Sequence, residues 1–117
     1  MNSSRSLQDS NLPRAMRSPL IADAVLFLQS GVRVTARTTD ISIAGCYVTT
    51  TIQLQRGAEV RVQLVWRNRT FSAMAQVTRS SRNKGTGMIF RAVEPAQLTV
   101  LKEWLFAQSR TGQLANV

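Results

Sequence analysis

Apolar and polar residues alternate with period two through the middle of the chain. Val32, Val34 and Ala36 fall on one side and Arg33, Thr35 and Arg37 on the other, which predicts a half-buried strand over Val32–Thr39. Val60, Val62, Leu64 and Trp66 alternate in the same way with Arg61, Gln63 and Val65. Phe71, Ala73, Ala75 and Val77 mark one face of a further strand that ends at Arg79. Three less regular runs also read as strands. Ala22–Gln29 is rich in β-formers and stops at Ser30-Gly31, a hairpin signal. Cys46–Ile52 is β-branched and threonine-rich, and Gly87–Phe90 is short and apolar. After residue 94 the period changes. Leu98, Leu101, Trp104 and Leu105 form one stripe at helical spacing, with Pro95 in the first turn and Glu94 at the positive end of the helix dipole. Short strands divided by turns, followed by one amphipathic helix, predict an all-β, six-stranded antiparallel barrel with a C-terminal α-helix packed on it, over an open end.

The ends differ from this middle. Residues 1–13 are polar and close on Pro13, which reads as a disordered arm. Residues 14–109 form the domain, opening with a basic hinge from Arg14 to Pro19, and 110–117 read as a flexible tail once the apolar stripe fades beyond Phe106. With 117 residues there is room for one domain, and 44% apolar residues suffice for its core.

Composition removes several functions. The longest apolar run, Ala24–Leu28, is far too short to span a membrane, and the N-terminus lacks the apolar stretch of a secretory signal, so a cytoplasmic location is expected. There is no histidine and only one cysteine, Cys46. That leaves no histidine-based triad, no cysteine-cluster zinc site and no disulfide framework. The six acids, Asp9, Asp23, Asp40, Glu59, Glu94 and Glu103, are scattered. Neither an enzyme nor a bound cofactor or metal is expected.

Charge adds the positive signal. Fifteen Lys and Arg against 6 acids give a net charge of +9, and thirteen of the 15 are arginines. Arginine suits planar, bidentate contacts to phosphate and to the guanine edge, so an anionic partner is expected. Three groups of residues could supply its site. Asp40-x-Ser42-x-x-Gly45 offers a carboxylate and a hydroxyl at a two-residue spacing, which share one side in an extended segment. Gly45 permits a positive φ or a close backbone approach. The competing reading is a loop in which Asp40 and Ser42 bond only to local backbone. Arg14 and Arg17 in the hinge could clamp a guanine or a phosphate. Arg79, near Arg82 and Lys84, is the third candidate, against the plain reading of a charged hairpin end.

The order of these pieces resembles the PilZ domain, the bacterial receptor module for cyclic di-GMP. RAMR (14–17) stands at the hinge, DISIAG (40–45) between strands, AQVTR (75–79) on the fifth strand and GMIF (87–90) on the sixth. The resemblance spans about residues 14–108. It implies a six-stranded barrel closed by a helix, with Asp40, Ser42 and Gly45 on the guanine-binding face and Arg79 against the ligand. It also implies an N-terminal arginine arm that orders over cyclic di-GMP, and a downstream protein partner. The family's arginine motif is R-x-x-x-R, whereas here the spacing is R-x-x-R. Arg17 matches the second arginine, Pro13 falls on the first position, and Arg14 stands as its displaced substitute. The altered spacing motivates a second reading, a PilZ-type module that binds a protein and no nucleotide. A nucleic-acid-binding barrel fits less well. Such barrels stack bases on aromatics; only seven occur here, Phe71, Phe90 and Trp104 read as core, and Trp66 and Tyr47 are the candidate platforms.

Overall fold

The computed structural model describes residues 17–115. Its elements are β1 (Ser18–Pro19), β2 (Asp23–Leu28), β3 (Arg33–Ile41), β4 (Gly45–Thr49), β5 (Glu59–Trp66), β6 (Arg69–Ser81), β7 (Gly85–Ala92) and α1 (Pro95–Ala115). The sheet runs β1-β3-β2-β5-β6-β7-β4, and a further β3–β4 pairing closes it. Strands β2 to β7 therefore make a closed antiparallel barrel, and β1 is an extra strand laid on the end of β3. The expected six-stranded barrel with one C-terminal helix is the observed fold.

The alternation read from sequence decides what fills the barrel. Leu26, Val62, Leu64, Phe71 and Ala75 point inward with no appreciable exposure, joined by Ile41 and Val48. Each large side chain among them contributes about 1.5–3 kcal/mol over its exposed state. The β2–β3 connection is the expected hairpin. Gly31 takes φ 97°, and Leu28 donates its N–H to the Val32 carbonyl at 2.9 Å. The β5–β6 turn places Arg67 and Asn68 at φ 51° and 64°, positive at both central residues as a tight two-residue hairpin requires.

Several boundaries differ from expectation. Val32 precedes β3 and is 52% exposed, so only Val34 and Ala36 of its trio pack toward the core. β4 stops at Thr49, short of Ile52, because its partner β7 has no residue to pair beyond that point. β3 continues through Asp40 and Ile41, which sequence assigned to a loop; pairing with β1 on one edge and β4 on the other holds it extended. The segment from Arg110, read as a flexible tail, is helical as far as Ala115; Arg, Gln, Leu and Ala are good helix formers and carry the helix past Gly112.

The helix packs as its stripe implies. Leu101 and Trp104 are buried, with Leu98 and Leu105 half-buried beside the core. Trp104 meets Trp66 edge-on at 5.8 Å between centroids and Phe71 at 6.3 Å. Polar ties fix its position. The Ser72 N–H donates to Gln97 Oε1 at 2.7 Å, and Arg69 pairs with Glu103 at 2.7 Å. Glu94 caps the helix with its carbonyl, accepting from Leu98 N–H at 2.9 Å, so Pro95 occupies the first turn as expected. Among the described residues, no helix is long and apolar enough to cross a membrane.

Candidate functional site

Two β-bulges re-aim the barrel wall. On β3, Thr38 points inward and is 1% exposed, and the register against β4 then slips between Thr38 and Asp40. The slip reverses the alternation, so Asp40 faces outward and Ile41 inward. On β6, Val77 is buried and the register against β7 slips between Val77 and Arg79. Strict alternation would send Arg79 into the core with Phe71, Ala73, Ala75 and Val77; the bulge at Thr78 turns it outward instead. Thr78 itself donates its hydroxyl to the Gly87 carbonyl at 3.0 Å.

These bulges put four residues in one cross-strand row. Asp40 pairs with Tyr47, Tyr47 with Gly87, and Gly87 with Arg79, across β3, β4, β7 and β6. Three inter-strand steps make the row about 14 Å wide. Gly87 is the low point. A Cβ there would sit 3.3 Å from the Tyr47 ring and 3.4 Å from the Arg79 stem, so its absence lets both side chains lie close over β7. The row floors an open cleft of about 760 Å³, with Asp40 on one rim and Arg79 on the other.

Arg17 completes the cleft. It directly precedes β1, whose residues pair as Ser18 with Ile41 and Pro19 with Asp40. Thr38 secures that attachment by donating its hydroxyl to the Leu20 carbonyl at 2.5 Å and accepting from Ala22 N–H at 2.8 Å. The result is an ion pair between Arg17 Nε and Asp40 Oδ1 at 3.4 Å, with the guanidinium half-exposed. Arg79 lines the cleft and forms no ion pair among the described residues.

The remaining candidates have more structural duties than their sequence positions imply. Ser42 lies at the cleft, but its hydroxyl is buried and fully committed. It accepts from Ala44 N–H at 3.1 Å and Gly45 N–H at 3.2 Å, and donates to the Gly45 carbonyl at 3.4 Å. One donor and two acceptor sites are thereby used. The two-residue spacing from Asp40 does not present both groups to one ligand edge, because the chain leaves the strand after Ile41 and Ser42 turns inward. Gly45 does not adopt a positive φ. It is needed because a Cβ there would fall on the Met88 carbonyl oxygen and lie 3.0 Å from Ile89 Cα, where β4 meets β7. Ser42 and Gly45 thus shape the turn that carries Asp40's neighbours. Arg14 lies outside the described residues.

Cys46 is buried behind the cleft. Burial, aided by the negative charge of Asp40, pushes its thiol up to about 12, so it stays protonated at neutral pH. No cluster of three or more His, Cys, Asp or Glu that could hold a metal occurs among the described residues. Sequence reasoning missed Thr38, a polar residue in a core position, and weighed Tyr47 only as a platform for nucleic-acid bases.

The PilZ domain family profile matches residues 13–107, which takes in the whole barrel, the cleft and the anchored part of the helix. The chain belongs to the PilZ domain family. Solved structures share the fold. The PilZ domain of CeSA from a cellulose-synthesizing bacterium superposes with a TM-score of 0.64 at 20% identity, covering 78% of this chain and 95% of that one. The PilZ domain of Escherichia coli YcgR with c-di-GMP gives 0.70 at 15% identity, covering 86% and 93%. The inhibitor of motility MotI/DgrA of Bacillus subtilis gives 0.66 at 15% identity, covering 81% of this chain and 49% of that one. Comparison with curated protein sequences gives no significant match.

Proposed function

We propose that this PilZ domain is a cyclic di-GMP receptor that grips the dinucleotide between Arg17, Asp40 and Arg79 and signals through its N-terminal arginine arm. The observation that carries this reading is the convergence of those three side chains on one cleft, with Arg17 already tied to Asp40 at 3.4 Å. The chemistry fits a guanine bearing phosphates. A carboxylate accepts from the N1–H and N2–H₂ edge, and guanidinium groups bind O6 and N7 or a phosphate in a bidentate fork. The half-buried Tyr47 ring between the rims offers a stacking surface. The cleft's volume lies within the usual range for small-molecule sites, roughly 300–1,000 Å³.

The ion pair suggests how occupancy is reported. The half-exposed Arg17 is held by the quarter-exposed carboxylate of Asp40, a contact worth about 0–1 kcal/mol near a surface. Guanine donors arriving at Asp40 compete for the same oxygens and free Arg17 to turn toward the ligand. β1 is only two residues long, so its short pairing with β3 leaves Arg17 room to turn. Arg14 joins from the arm. Fixing the arm costs roughly 1–2 kcal/mol per residue ordered, which keeps affinity moderate and the response reversible.

Isothermal titration calorimetry with cyclic di-GMP tests this. Saturable binding is expected for the full chain. Arg17→Ala and Asp40→Ala should each weaken it by about 5- to 150-fold, the worth of one good bidentate base contact. Absence of heat at high micromolar ligand, with the protein folded, rejects the receptor reading and leaves the protein-binding one.

A further inference from the structure

We propose that the outer face of β2, β3, β5 and β6, far from the nucleotide cleft, docks an acidic protein surface through Arg33, Phe27, Arg61 and Met74. The register places these four residues in one row: Arg33 pairs with Phe27, Phe27 with Arg61, and Arg61 with Met74. They lie across four adjacent strands on the outside of the barrel. The row is about 14 Å wide, and Arg33 stands roughly 23 Å along β3 from Asp40. It is therefore a surface separate from the cleft.

The row has the composition of an interface centre. Arginine, aromatic residues and methionine are the types enriched there, and isolated surface positions seldom combine them. Arg33 and Arg61 approach the Phe27 ring from its two neighbouring strands, their guanidinium carbons 5.6 and 5.3 Å from its centroid. Stacking holds both guanidinium groups in place, so their N–H edges are preorganised for carboxylates. Met74 extends the apolar part of the row and is 37% exposed.

The charge of the row is not neutralised within the protein. Neither Arg33 nor Arg61 forms an ion pair among the described residues. Asp23 on β2 is engaged by Arg37 at 3.4 Å, four residues along the strand from Phe27. Glu59, two residues from Arg61 on β5, pairs in register with Gln76 and makes no ion pair among the described residues. The row thus presents two cations beside apolar surface, complementary to a partner that mixes carboxylates with apolar side chains. Nucleic acid fits less well, since guanidinium groups flank the Phe27 ring on the approach a stacking base would need.

The test uses the full chain, labelled with nitrogen-15, and a short peptide alternating glutamate and leucine. Binding should shift the amide signals of Phe27, Arg33, Arg61 and Met74. The double variant Arg33→Gln, Arg61→Gln should weaken binding about tenfold or more, as expected for paired interface arginines. A charge-matched control, Arg82→Gln with Lys84→Gln in the β6–β7 turn, should change it by less than about twofold if the row rather than net charge is recognised. All four positions are exposed, so both variants should fold, and thermal melts check this. Equal losses in the two double variants overturn the proposal, as does an absence of shifts along the row. Tighter binding of a thymidine oligonucleotide or of phosphatidylglycerol vesicles at the same row also overturns it.

Discussion

Gly45→Ala should destabilise the domain by about 3 kcal/mol or more, at or beyond the upper end for overpacking. The new methyl would land on the Met88 carbonyl oxygen and press on Ile89 Cα, both backbone atoms of β7 that no rotamer change can move aside. Relief requires β4 and β7 to separate, and β4 is the strand through which β3 and β7 close the barrel. A loss of this size is a large share of the roughly 5–15 kcal/mol that holds a domain folded. Gly57→Ala is the comparison. Gly57 has φ 89° and open space around its Cβ direction, so alanine there meets only backbone strain of about 1–2 kcal/mol. Urea unfolding of the two variants separates the cases. Equal midpoints would mean that the approach of β4 to β7 is not close enough to demand glycine.

Trp104→Ala should cost about 3–5 kcal/mol, the usual loss for a large buried aromatic. Trp104 is 3% exposed and ties α1 to the barrel through Trp66 and Phe71. Its indole N–H has no hydrogen-bond partner among the described residues. An unsatisfied buried donor of this kind costs about 1–3 kcal/mol. Trp104→Phe keeps a ring against Phe71 and deletes that donor, so it should lose far less than Trp104→Ala. Denaturant midpoints of both variants, with helix content followed by circular dichroism, give the answer. Phenylalanine proving as damaging as alanine would mean that the indole N–H is satisfied after all.

The barrel was legible because its core obeys a simple period. Val60, Val62 and Leu64 on β5, and Phe71 to Val77 on β6, are buried where alternation put them. The helix was legible for the same reason, from Leu98 to Leu105. The site was legible in residue type and order, and much less so in geometry. Asp40 and Arg79 each follow a bulge, and a bulge is one extra residue that alternation cannot anticipate. β1 was invisible because two residues, one of them proline, carry no period. Its pairing with β3 nevertheless delivers Arg17 to Asp40. Thr38 was given no role, although alternation sets it on the same side as Val34 and Ala36 and its hydroxyl is satisfied twice inside the fold. Ser42 and Gly45 were recognised as a motif, but their roles depended on contacts across the turn and across the β4–β7 seam.

The receptor reading stands on one cleft serving one ligand, and a nuclear magnetic resonance titration with cyclic di-GMP addresses that most directly. The amide signals of Arg17, Asp40, Tyr47, Gly87 and Arg79 should move together and saturate at a common concentration, while those of Arg33 and Arg61 on the opposite stretch of the wall stay in place. Signals at the cleft that remain still under excess ligand, or that move only on another face, would contradict it.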